Sequence, residues 1–125
     1  MFCKTTDNLN IYFEVQGNEN AKETLVFLNG LSQSTVSWIL TTPQFKNDYR
    51  IILIDFIFQG QSDKVGESRN FDTHAHDVIS VLDFLKIDQV IVIGLSYGSL
   101  VAQNLAVKHG NRISKLILML SLIHI

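Results

Sequence analysis

Apolar residues recur along this chain in two rhythms, short β-branched runs and longer stretches at helical spacing, with turn residues between them. Phe2 to Thr6 and Asn10 to Val15 flank the turn formers Asp7 and Asn8, a pattern that predicts an N-terminal antiparallel hairpin ended by Gly17 and the polar run 18–22. Thr24 to Leu28 is a continuous apolar run closed by Asn29-Gly30, which predicts a strand buried on both faces. Val36 to Leu40 and Phe45 carry a short helical spacing that Pro43 interrupts, because proline lacks the backbone donor a helix needs. Tyr49 to Asp55 predicts the next strand, with a sharp exit through Gln59-Gly60-Gln61-Ser62-Asp63 and a polar stretch over 65–70. From Asp72 to about Lys86, Val78, Ile79, Val81, Leu82 and Leu85 recur at helical spacing, with Asp77 and Asp83 placed on the opposite side. Gln89 to Ile93 predicts a strand, Leu100, Val101, Leu105 and Val107 a helix stopped near Gly110, and Ile113 to Leu120 a last strand.

A hairpin followed by strand-helix alternation predicts an α/β fold: a mostly parallel sheet with helices on both faces and an antiparallel start. Chemistry in such sheets gathers at the carboxyl ends of the strands, which here means the loops 29–34, 56–63 and 94–98. The last of these reads Gly94-Leu95-Ser96-Tyr97-Gly98. Taken bare, the pattern also describes a small-residue turn with a solvated serine. Its flanks, an apolar strand before it and a helix after it, favour a corner that holds Ser96 strained with its hydroxyl projecting above the sheet. Gly94 and Gly98 then leave room for so tight a turn.

Composition narrows the function classes. The chain has 125 residues, enough for one domain, and is 46% hydrophobic and 18% charged. A net charge of −2 with ten Lys plus Arg provides no electrostatic footprint for nucleic acid or an anionic membrane. The single cysteine, Cys3, excludes an internal disulfide and a thiolate metal cluster, and no metal or cofactor is expected. The N-terminus has no apolar segment of signal-peptide length and the run 116–125 is too short to cross a bilayer, so the expected location is cytoplasmic. No nucleotide-binding glycine pattern follows any strand.

Leu28-Asn29-Gly30-Leu31, the run 49–55 with Gly60-Gln61-Ser62-Asp63 behind it, and the stretch 92–102 around Ser96 stand in the order found in α/β-hydrolases. Over nearly its whole length the chain resembles the N-terminal half of that family, in the manner of single-domain esterases, enol-lactonases and perhydrolases. The resemblance implies that Ser96 is the nucleophile and that the backbone N–H groups of Tyr97 and Leu31 form the oxyanion hole. It implies a small acyl substrate, a carboxylic ester or lactone, with the side chains of Leu31 and Tyr97 lining its pocket and Trp38 and Phe56 either shaping it or packing in the core. Asn29 stands where many members have histidine, and an amide can still order the loop by donating and accepting.

The family places the acid and histidine of its triad after the nucleophile, beyond a sixth strand. Residues 1–125 therefore read as the N-terminal part of one α/β-hydrolase domain, with little activity alone. His74, His76, His109 and His124 are expected at surfaces or helix ends, Asp55 and Asp63 as loop caps. His74 and His76, two apart on a helix, point to different faces and make a poor metal pair. The last strand is expected to leave an apolar edge uncovered. A non-catalytic α/β binding module fits the same sequence. Substrate identity and oligomeric state are not written in it.

Overall fold

A computed structural model describes residues 1–119, and Leu120 and His124 lie outside the described residues. Six strands, β1 (Phe2–Lys4), β2 (Asn10–Gly17), β3 (Thr24–Leu28), β4 (Arg50–Ile54), β5 (Val90–Leu95) and β6 (Ile113–Met119), form one sheet in the order β1-β2-β4-β3-β5-β6. β1 and β2 pair antiparallel, with Phe2 opposite Tyr12, and β2 pairs antiparallel with β4. From β4 through β3 and β5 to β6 every pairing is parallel. The α/β architecture with an antiparallel start is thus the one the hydrophobic pattern predicts.

β3 occupies the sheet centre, and all five of its residues are buried. Because side chains alternate across a strand, Val26 and Leu28 join one core and Leu25 and Phe27 the other. The larger core packs under two helices, α1 (Phe71–Leu85) and α2 (Tyr97–Lys108), through Val78, Val81, Leu82, Val101 and Leu105. The opposite face is covered by Trp38, Phe45 and Tyr49 around two short 3-10 helical turns, Thr35–Trp38 and Thr42–Gln44. These two turns replace the single short helix expected there, and Pro43 sits second in the latter, in the first turn, where its missing N–H is harmless.

Local chemistry sets the element ends. Asn70 caps α1 by accepting from the Thr73 N–H at 2.8 Å, and Lys86 ends the helix in the left-handed region at φ 59°. One helical face differs from its reading in sequence. Asp77 is buried, whereas Asp83 is exposed and pairs with Arg112 at 2.8 Å. The reason is tertiary: Arg69, in the loop before α1, supplies Asp77 with a charge partner inside the fold. On the far side β6 pairs only with β5 among the described residues, and Leu116 to Met119 are exposed, Ile117 to 47%. The apolar edge expected over 116–125 is thus exposed as far as Met119, and its remainder lies outside the described residues. No helix among the described residues is long and apolar enough to cross a membrane.

Candidate active site

Ser96 alone separates β5 from α2 and adopts φ 52°, ψ −112°. A residue with a Cβ rarely occupies that region, and the cost persists only where neighbours impose it. Here the Ser96 N–H donates to the Met119 carbonyl at 2.8 Å, while the Ser96 carbonyl accepts from the Ser99 N–H at 2.9 Å and the Ser99 hydroxyl at 2.5 Å. Both backbone groups of the strained residue are thereby tied down. No described residue hydrogen-bonds the hydroxyl of Ser96, a residue that is itself half-buried.

The two glycines let this corner pack. A Cβ on Gly94 would lie 2.6 Å from the Gly98 carbonyl oxygen and 2.7 Å from Ser99 Cα. One on Gly98 would strike the Leu28 carbonyl and come within 2.7 Å of the Asn29 carbonyl oxygen. The first turn of α2 therefore presses directly on the end of β3. Since backbone on that side has nowhere to retreat, Gly98→Ala is expected to lower stability by about 2 kcal/mol, measured by urea unfolding, without changing the unfolding slope.

β3 runs into a loop that lies against this corner, with Gly30 close to the Leu95 carbonyl. Asn29, fully buried, organises the loop. Its Nδ2 donates to the Ile54 carbonyl at 2.8 Å and to Gln59 Oε1 at 3.2 Å, and its Oδ1 accepts from Trp38 Nε1 at 2.7 Å. Gln59 Nε2 in turn donates to the Gly30 carbonyl at 2.9 Å, and Gln33 Oε1 accepts the Gly30 N–H at 3.0 Å. Asp55 holds the same region by accepting from the N–H groups of Thr35 and Gln61 at 2.8 and 2.9 Å. Asp63 accepts from the Asn10 N–H at 2.7 Å. Both aspartates act as loop caps. The N–H groups of Leu31 and Tyr97, one on each side of the corner, have no acceptor among the described residues.

A cavity of about 360 Å³ opens beside these groups, and Leu31, Phe56, Phe58, Arg69, His74 and Tyr97 are among its lining residues. Ser96 does not line it; its neighbour Tyr97 does. Phe56 is both a core residue and a wall of this cavity, whereas Trp38 packs on Phe27 in the opposite core with a ring distance of 4.8 Å.

His74 departs from its expected surface role. It sits in the first turn of α1 but is 5% exposed, against Phe56 and Tyr97 at ring distances of 4.9 and 5.7 Å. Burial, with the charge of Arg69 adding to it, pushes its pKa down to about 4. Below it, the Arg69 side chain is 4% exposed and lies between Asp7 Oδ1, 2.8 Å from Nη2, and Asp77 Oδ2, 3.2 Å from Nε. Burial pushes the Asp77 carboxyl up to about 7, against the opposing pull of Arg69. Helical spacing did place residue 74 near the apolar side of α1, since Val78 and Val81 follow at four and seven, and that signal was available. His76, by contrast, is exposed and faces His109 at a ring distance of 6.0 Å. Among the described residues no group of three or more His, Cys, Asp or Glu is arranged to hold a metal ion.

The strand order, the strained serine corner and the loop after β3 define an α/β fold with its candidate chemistry at the carboxyl ends of β3 and β5. Residues 23–124 match the alpha/beta hydrolase fold family, and the chain belongs to it. The uncharacterized hydrolase YugF of Bacillus subtilis is 31% identical over 121 residues, covering 94% of this chain and 43% of that protein. The 3-oxoadipate enol-lactonase 1 of Acinetobacter baylyi is 33% identical over 89 residues, covering 71% and 33%. Among solved structures, a hydrolase from Pseudomonas aeruginosa shares the fold at a TM-score of 0.91 and 24% identity, over 94% of this chain and 44% of that one. Est816, described as an N-acyl homoserine lactone degrading enzyme, matches at a TM-score of 0.85 and 30% identity, over 92% and 43%. The chain thus spans less than half the length of these proteins.

Proposed function

We propose that this chain is the nucleophile-bearing part of a serine hydrolase acting on a carboxylic ester, lactone or similar small acyl substrate. Ser96 Oγ bonds to the substrate carbonyl carbon and passes its proton to a base. The carbonyl oxygen, now negative, is held by the N–H groups of Leu31 and Tyr97, and the alcohol leaves with a proton. Water then releases the acyl group by the same steps. Two preorganised donors aimed at a developing oxyanion lower the barrier by a few kcal/mol. The observation that carries this reading is the tied, strained Ser96 flanked by two N–H groups without acceptors beside a cavity.

The base and the acid that orients it belong, in this reading, to sequence beyond residue 125, in a domain of which residues 1–125 are the N-terminal part. A cytoplasmic setting goes with it, since the one cysteine, Cys3, is buried and free.

Mass spectrometry after exposure to a fluorophosphonate tests the assignment. In a protein that adds the remaining length of the relatives, Ser96 takes up the phosphonyl group and Ser96→Ala does not. Labelling at another residue, or none in the longer protein, would favour the non-catalytic binding module.

A further inference from the structure

The cavity beside the serine corner has an apolar wall and a polar end. Leu31, Phe56, Phe58 and Tyr97 supply the first, Arg69 and His74 the second. The His74 ring is clamped by Phe56 and stands nearly perpendicular to Tyr97, at 84°, so packing fixes its orientation. Its Nδ1 is sealed from solvent and has no hydrogen-bond partner. Nε2 has no hydrogen-bond partner among the described residues and, unlike Nδ1, is not sealed, so it is the ring nitrogen open to the cavity that His74 lines. A leucine would fill this space without leaving polar atoms unpaired. A ligand in the cavity can pair the open nitrogen, Nε2, and give the imidazole a hydrogen bond that the protein does not supply.

We propose that the cavity receives the acyl part of the substrate and that His74, through Nε2, selects acyl groups bearing a hydroxyl; this rests on the hydrolase reading above. Leu31 and Tyr97, whose N–H groups would hold the carbonyl oxygen, also line the cavity, and the Tyr97 ring reaches His74 directly. An acyl chain leaving the oxyanion site along this wall ends at the imidazole. A hydroxyl both donates and accepts, so it suits either neutral tautomer. A carboxylate suits the end less well, because Arg69 already faces Asp7 and Asp77.

Binding is measured on the Ser96→Ala form of a protein carrying this chain together with the remaining length of its relatives, labelled with nitrogen-15, so that nothing is turned over. The probes are methyl 6-hydroxyhexanoate, methyl hexanoate and monomethyl adipate, followed at the Leu31 and Tyr97 amides and the His74 ring nitrogens. The hydroxy ester is expected to bind about fivefold more tightly than the alkyl ester and to shift the His74 ring signals, an effect the size of one net hydrogen bond. His74→Leu brings the ratio to one, and His74→Gln, which keeps a donor and an acceptor, retains part of it. Should His74→Leu fail to fold, the ring shifts and the glutamine variant decide. Equal binding of the two esters, an unchanged preference in His74→Leu, tighter binding of monomethyl adipate, or no binding at all would each overturn the proposal. The readout is independent of the nucleophile: failed labelling of Ser96 removes the hydrolase reading, whereas a lost hydroxyl preference removes only the role of His74.

Discussion

In a protein carrying this chain together with the remaining length of its relatives, Ser96→Ala is expected to lower the turnover of a short-chain activated ester by on the order of a million-fold, with little change in KM. The size follows from the role. On the proposed mechanism no acyl-enzyme forms without Oγ, and the Leu31 and Tyr97 N–H groups would then only assist attack by water, an oxyanion hole without a nucleophile. Substrate binding is untouched because the cavity walls, Leu31, Phe56, Phe58 and Tyr97, are intact. The 125-residue chain by itself is expected to behave much like that variant. A triad without its histidine loses about as much as one without its serine, and no histidine among the described residues bonds the Ser96 hydroxyl. Stopped-flow measurement of nitrophenolate release checks both statements. Fast turnover by the chain alone that disappears in Ser96→Ala would place the base within these residues and refute the reading.

The second large effect is a pair of opposite pH dependences hidden in one flat profile. Asp77 titrates near 7 in the fold against 3.8 ordinarily, so between those values the folded state binds a proton the unfolded chain has lost. Stability from this group therefore rises as pH falls. His74 titrates near 4 in the fold against 6.5 ordinarily, so between those values the unfolded chain binds the extra proton and stability falls as pH falls. Each slope is about 1.4 kcal/mol per pH unit, and from pH 6.5 to 4 they cancel. His74→Leu exposes the Asp77 slope, and its stability relative to the unsubstituted chain is expected to increase by about 3 kcal/mol as pH falls across that interval. Asp77→Asn exposes the His74 slope, and its stability relative to the unsubstituted chain is expected to decrease by about the same amount. His109, also shifted down by burial, contributes equally to all three proteins and drops out of the differences. Asp7, held low by its bonds to Arg69 and Thr5, titrates below the window. Urea unfolding at half-unit pH steps makes the measurement, and parallel profiles for the two variants would refute the assignment.

Much of the fold is legible in residue order because its strands are buried on both faces and so read as unbroken apolar runs. Thr24 to Leu28 and Val90 to Ile93 need no partner to be recognised, and Asn70 and Lys86 end α1 within a residue or two of the positions that spacing predicts. The segment after β3 was less legible. Val36 to Phe45 has helical spacing, but it folds as two 3-10 turns because Trp38 is drawn down onto Phe27 and its indole N–H onto Asn29. The motif around Ser96 was equally plain in sequence, but the need for glycine at 98 was not: it arises from the carbonyls of Leu28 and Asn29, seventy residues away in sequence order by rough count from the strand they end.

Local chemistry along the chain was sufficient to specify the alternation of strands and helices, the position of the serine between a strand and a helix, and membership of the family by the order of its motifs. Those depend on short-range spacing and on burial that is symmetric about a strand. The burial of Arg69 and Asp77 was decided by tertiary structure alone, and that of His74, which helical spacing places near the apolar side of α1, was completed by it. A charged or titratable side chain on a helix reads as solvent-facing until another element brings it a partner or a wall. Here the loop before α1 brings Arg69 to Asp77, and Phe56 and Tyr97 close over His74. Only the folded chain determines whether water or protein surrounds such a group, because that depends on what packs against it and not on its neighbours in sequence.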